Sequence, residues 1–248
     1  MSDYGGYQDL EFVAALYDAV YEIRNQRDIQ FFVDYAVRTG GPVLELGCGT
    51  GRVLLPTALA GCRITGLDLS AYMLDRCRKK LADQTPDVRR RVRLVQGNMV
   101  DFQTGERYSL ATIPFRPFQH LIDVREQRSC LERARAHLVE GGLLILDVFH
   151  CYPPAMYDPK YRAEQPLQQN IPLEDGNTLS FTTRIADFHQ DRQFNDIELI
   201  YYVTHPDGSR ERLVQAFPFR YFFRYEIEHL LELRGFVLVE LFGNYDRS

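Results

Sequence analysis

The stretch Val43-Leu44-Glu45-Leu46-Gly47-Cys48-Gly49-Thr50-Gly51-Arg52 constrains this chain more than any other ten residues in it. An apolar run holding one acid reads as a buried strand. Glycine at every second position then reads as a turn too tight for side chains, with a helix to follow. Glycine tolerates positive φ and lets a ligand lie directly against the backbone. Spacing narrows what such a loop holds. A dinucleotide fingerprint needs G-x-G-x-x-G, its third glycine allowing close helix–strand packing. Here Gly51 comes one residue early, and Arg52 stands where that fold wants glycine or alanine. Glu45 would also repel a pyrophosphate, whereas it suits an ammonium or a sulfonium. A nicotinamide-dependent oxidoreductase, the competing enzyme class, loses ground on both points.

Glu45 to Gly51 resembles the first motif of the class I S-adenosylmethionine-dependent methyltransferases. Two further segments extend the resemblance. Arg63 to Ser70 reads as a second strand ending in Asp68, which follows Gly51 by 17 residues, near the roughly 20 expected for a ribose-binding carboxylate. Val92 to Met99 is similar to the family's G-D-M segment after strand three. The resemblance implies an α/β fold with a doubly wound, mostly parallel Rossmann-like sheet, and S-adenosyl-L-methionine as cofactor. It implies that the cofactor is held by Glu45, Gly47, Cys48, Gly49, Gly51, Arg52, Asp68, Leu69, Met73, Gly97, Asn98, Met99 and Pro114. Asp68 would take the ribose hydroxyls; its other reading is an N-cap to the following helix. Glu45 would partner the cofactor's amino group, directly or through water, or tie down the glycine loop. Three positions depart from the pattern. Asn98 replaces an aspartate that accepts from the adenine amino group, and an amide oxygen can do the same. Ser109 stands where an aspartate commonly begins strand four. The chain stops at Ser248, soon after a strand expected over Phe236–Phe242, where the family adds an antiparallel seventh. Either the chain is truncated or that strand is an open edge for a partner.

Composition sets limits. At 248 residues, one embellished domain or two small ones both fit. A hydrophobic fraction of 45% with 25% charged residues fits a globular protein. Net charge −5 and pI near 5.7 argue against nucleic acid. Five cysteines without a C-x-x-C pair suggest reduced thiols and a cytoplasmic location, with no metal site. No run approaches the ~18 apolar residues of a membrane helix.

Apolar positions recur at helical spacing over Leu10–Tyr21 and Ile29–Ala36, predicting a helical cap before strand one. Pro56 predicts a bent or loosely bonded start to the next helix. Helices are expected over 71–83 and 125–138, strand four over Leu110–Ile113, and strand five over Leu143–Phe149. Beyond 150 the pattern turns β-like. Leu179–Phe188 reads as a strand, and His205-Pro206-Asp207-Gly208-Ser209 as the turn of a hairpin joining Ile197–Thr204 to Arg210–Phe217. The final helix spans Tyr225–Arg234. These boundaries divide the chain into a methyltransferase domain (1–149 and 224–248, with 1–40 as cap) and a β-rich insertion (150–223) serving substrate or dimer contacts. A small-molecule acceptor and a homodimer are the partners expected. The insertion, and a tyrosine-rich Tyr17-Asp18-Ala19-Val20-Tyr21 in the cap, also resemble small-molecule N-methyltransferases.

Methyl transfer from a sulfonium is an in-line displacement, so the protein's task is positional, and an amine acceptor must first lose a proton. His120, on the loop after strand four, is the candidate base; its other reading is packing beneath the substrate with a carbonyl bond. Tyr17, with Tyr21, closes the pocket or packs the helix. His150 could face the acceptor. Phe217, Phe219, Tyr221, Phe222, Phe223 and Tyr225 read as core, or as an aromatic cage. Arg89-Arg90-Arg91 reads as a solvated approach to strand three; RNA methylation is the alternative it would serve. The leading expectation is methyl transfer to an amine or hydroxyl of a small polar molecule. A non-catalytic cofactor-binding protein is the rival of another class.

Overall fold

A computed structural model describes residue 7 and residues 9–21, 27–150 and 158–248. The inner sheet has five parallel strands in the order β3-β2-β1-β4-β5: β1 Val43–Leu46, β2 Ile64–Asp68, β3 Val92–Gln96, β4 Tyr108–Ile113 and β5 Leu138–Leu146. The order reverses beside β1, so its carboxyl end opens a crevice between β2 and β4. Alternate residues of β1 feed two cores. Val43 joins the core beneath α2 (Arg27–Thr39), α3 (Leu54–Leu59) and α4 (Ala71–Ala82). Leu44 and Leu46 join the core beneath α6 (Val124–His137) and α7 (Arg224–Leu233).

A second sheet is antiparallel, in the order β6-β7-β8-β9: β6 Gln165–Pro172, β7 Thr178–His189, β8 Phe194–Thr204 and β9 Arg210–Arg220. Its β8–β9 turn closes through Gly208 N to His205 O and His205 N to Ser209 O, with Gly208 at φ +85°. One face of this sheet packs on α1 (Glu11–Tyr21) through Val20, Tyr21 and the wholly buried Phe181. The other side of α1 packs Val13 and Ala14 on Met73 of α4. The helix is thus wedged between the two sheets' layers. Each such buried side chain contributes about 1.5–3 kcal/mol.

Several elements differ from the sequence reading. Pro56 falls in the first turn of α3, where backbone donors have no intrahelical partner, so it costs no hydrogen bond. Arg89–Arg91 are the expected approach to β3, but as the end of a helical turn, α5 (Pro86–Arg91), that runs directly into Val92: Arg90 pairs with Asp87, while Arg89 and Arg91 donate to the carbonyls of Ala82 and Ala58. The fifth strand starts at Leu138, and a bulge skips Glu140-Gly141-Gly142 before Leu143 pairs with Leu110. Residues 236–242 form no strand. Phe236 packs in one core and Phe242 in the opposite one, so the segment passes from face to face of the sheet and exposes 85% of Val237. Its apolar pattern supplied β character without a partner. The aromatic cluster also divides: Phe222 is core, and Phe223 and Tyr225 are exposed. Cys151, and 151–157 of the expected insertion, lie outside the described residues, as do 1–6, 8 and 22–26 of the cap. Among the described residues no helix is long and apolar enough to cross a membrane.

Candidate active site

A cavity of about 730 Å³ runs from the carboxyl ends of β1 and β2 to the inner face of the antiparallel sheet. At its lower end β1 stops as the amides of Gly47 and Cys48 both donate to Leu67 O. Gly47 has φ +74°, and a Cβ there would lie 2.6 Å from Pro117. Gly49 has φ +54° and faces open space. Its amide donates to Asp68 Oδ2 at 2.7 Å, and Ser70 N donates to Oδ1 at 2.9 Å. The N-cap of α4 is Ser70, whose Oγ accepts from Met73 N. Asp68 is therefore fixed by two amides and free of the capping role. Burial raises its pKa, and the backbone bonds oppose that rise.

Of the residues expected to hold cofactor, Gly47, Gly49, Asp68, Leu69, Met73, Gly97, Asn98, Met99 and Pro114 line the cavity. Glu45, Cys48, Gly51 and Arg52 are not among the lining residues and form the loop's backing instead. Cys48 covers Gly66, where a Cβ would come within 2.8 Å of its sulfur, and Gly51 admits Cys77 of α4 in the same way. Glu45 is 1% exposed, its Oε2 has no partner, and burial pushes its pKa up to about 8. Asn98 Oδ1 accepts from Val100 N at 3.1 Å, leaving one lone pair and the amide donors for a ligand. Ser109 sits against Gly41, whose Cβ would strike its Oγ.

Arg52 turns away from the cavity to make a two-pronged pair with Asp28 of α2, and its guanidinium lies 4.5 Å from the Phe115 ring centre. Asp18 of α1 accepts from Thr50 Oγ1 at 2.6 Å and from Lys80 Nζ at 2.9 Å. Two acids of the cap thus hold the glycine loop from above. The sequence offered no separate signal for Asp28, which looked like an ordinary acid in a first helical turn.

The far end is aromatic. His120 lines the cavity with ring centres of Tyr7, Phe217 and Phe219 at 5.4, 5.0 and 5.1 Å. Burial among them pulls its pKa down to about 4. His120 is therefore not the base titrating near neutrality expected from sequence, because its imidazolium would lose hydration without gaining an anion among the described residues. Tyr17 lines the cavity 4.5 Å from the Tyr21 ring centre, and burial raises its phenol well above the usual range. His150 is exposed at the cavity wall. Gln119, wholly buried, holds the loop in place: Nε2 donates to Arg220 O and Oε1 accepts from Phe149 N at 2.6 Å. Phe115 and Arg116 take φ +63° and +71°, a conformation unusual for residues with side chains. Pro114 and Pro117 flank that turn.

Residues 43–142 match the family described as a methyltransferase domain. A dTDP-3-amino-3,6-dideoxy-alpha-D-glucopyranose N,N-dimethyltransferase of Streptomyces fradiae is 29% identical over 201 residues, covering 79% of this chain and 72% of that protein. The CcbJ methyltransferase of Streptomyces caelestis superposes with a TM-score of 0.74 at 26% identity, covering 99% of this chain and 93% of that one. The glycopeptide N-methyltransferase MtfA, in complex with S-adenosyl-L-methionine, gives 0.55 at 26% identity over 91% of this chain and 90% of its own. With the parallel sheet, its glycine loop and the acid ending β2, these likenesses identify residues 43–142 as a methyltransferase domain and support a class I S-adenosylmethionine-dependent methyltransferase.

Proposed function

We propose that the enzyme methylates an amine of a small molecule held between the parallel and antiparallel sheets, with the donor at the glycine-loop end. The observation that carries this reading is the continuity of one cavity from Gly49 and Asp68 to the face of β7–β9. S-adenosylmethionine suits the lower end: Gly49 presents backbone to open space, Asp68 presents a pre-oriented carboxylate, and Leu69, Met73 and Met99 offer apolar walls. The Asp68 carboxylate would take ribose hydroxyls, and Asn98 the adenine edge. Glu45, Cys48, Gly51 and Arg52 would serve by shaping the loop. Bound there, the cofactor supplies an electrophilic methyl on a sulfonium.

The remaining work belongs to this chain's side chains. His120, neutral above a pKa of about 4, accepts a hydrogen bond from an amine that has already lost its proton to solvent, and so aims the lone pair. Tyr17, whose phenol stays protonated, donates at the junction of the two ends. Collinear alignment of this kind is worth up to about 7–11 kcal/mol in intramolecular models. Relatives that methylate the amines of a sugar and of a glycopeptide support an amine over a hydroxyl. On this reading 1–149 with 224–248 carry the donor, and 150–223 select the acceptor.

Incubation with S-adenosylmethionine and matched amines and alcohols, read as S-adenosylhomocysteine released, tests the proposal. Release with amines is expected. Release with alcohols alone, or cofactor binding without release, contradicts it.

A further inference from the structure

The antiparallel sheet turns an uncharged face to the cavity. Thr183, Asn195, Ile197, Phe217 and Phe219 line it. Among the described residues the one Lys or Arg in the cavity wall is Arg116. Its Nε lies 3.7 Å from Asp147 Oδ2, and its guanidinium lies 3.5 Å from the centre of the Phe149 ring. Glu126 is exposed at the same wall. A nucleoside diphosphate brings at least two negative charges, which proteins meet with several cations or a helix N-terminus. Laid against Phe217 and Phe219 without them, it would lose hydration for nothing in return. An amine is favoured by the same field.

We infer that the acceptor is a phosphate-free amine, an amino sugar or comparable ring, that lays an apolar face on Ile197, Phe217 and Phe219. The inference rests on the amine reading above. It places methylation after any step that expels an activating diphosphate, such as transfer of the sugar to a neutral carrier.

The test uses the protein–S-adenosylhomocysteine complex and two probes, the phenyl glycoside and the thymidine diphosphate ester of one 3-aminohexose, titrated calorimetrically. The glycoside is expected to bind about tenfold more tightly, a difference of roughly 1.4 kcal/mol. Equal or tighter binding of the diphosphate ester overturns the inference. Methyl transfer to each probe, measured separately, tells the two claims apart. Binding in the expected order without transfer contradicts the amine reading alone, and transfer favouring the diphosphate ester contradicts the inference alone.

Discussion

His120 shows how burial redefines a residue's chemistry. Its neighbours are rings, and no anion among the described residues lies against it, so its pKa falls to about 4. The folded value lies below the ordinary one. The stability it confers is thus full above about pH 6.5 and lost as pH falls toward 4. Across the neutral range the imidazole stays uncharged, and the wild-type rate profile should show no imidazole inflection near pH 6–7. In His120→Ala, kcat should fall about 10²-fold while S-adenosylhomocysteine affinity holds. A matching loss of both would move the residue into donor binding. Glu45 carries the opposite shift, raised to about 8 by burial with a smaller contribution from Asp68. Here the folded form holds the proton more firmly, so the contribution is complete below about pH 4.5 and disappears as pH rises to 8. Urea unfolding at pH 5 and pH 8 should show a smaller loss of stability in Glu45→Gln than in wild type. Identical losses would contradict the assignment.

Among the elements, α1 and α2 hold the glycine loop by Asp18 and Asp28. The Asp28 and Arg52 side chains are only 7% and 13% exposed. Asp28→Ala leaves a nearly buried guanidinium unpaired, which should cost about 3–5 kcal/mol in urea unfolding. It should also weaken S-adenosylhomocysteine binding through the loop. Unchanged affinity at reduced stability would confine the pair to a structural role. Local signals made much of the fold legible. The turn at 205–209 specifies its hairpin, and the strand–glycine–helix run specifies β1. The limits were equally physical. Residues 236–242 have strand-like apolarity but are pulled to opposite cores by Phe236 and Phe242, and no pattern within the segment reveals that. In the site, spacing identified which residues form the loop. It could not show that Glu45, Cys48, Gly51 and Arg52 point behind it, since that depends on Cys77, Asp28 and Gly66 arriving from elsewhere.

The whole molecule is two sheets joined through a shared helix. Because α1 packs on α4 with one side and on β7–β9 with the other, the donor end and the acceptor wall are held in one arrangement. His120 stands between them on a loop that Gln119 ties to β9 and to the segment after β5. That arrangement explains why residues far apart in sequence, Tyr17, Asp68, His120 and Ile197, line one space. A crystal structure of the complex with S-adenosylhomocysteine and an amine acceptor tests this most directly. The ribose should meet the Asp68 carboxylate, and the sulfur should face an amine held near His120 beneath Ile197 and Phe219. A nucleoside bound away from Asp68, or an acceptor bound outside the antiparallel sheet's face, would contradict it.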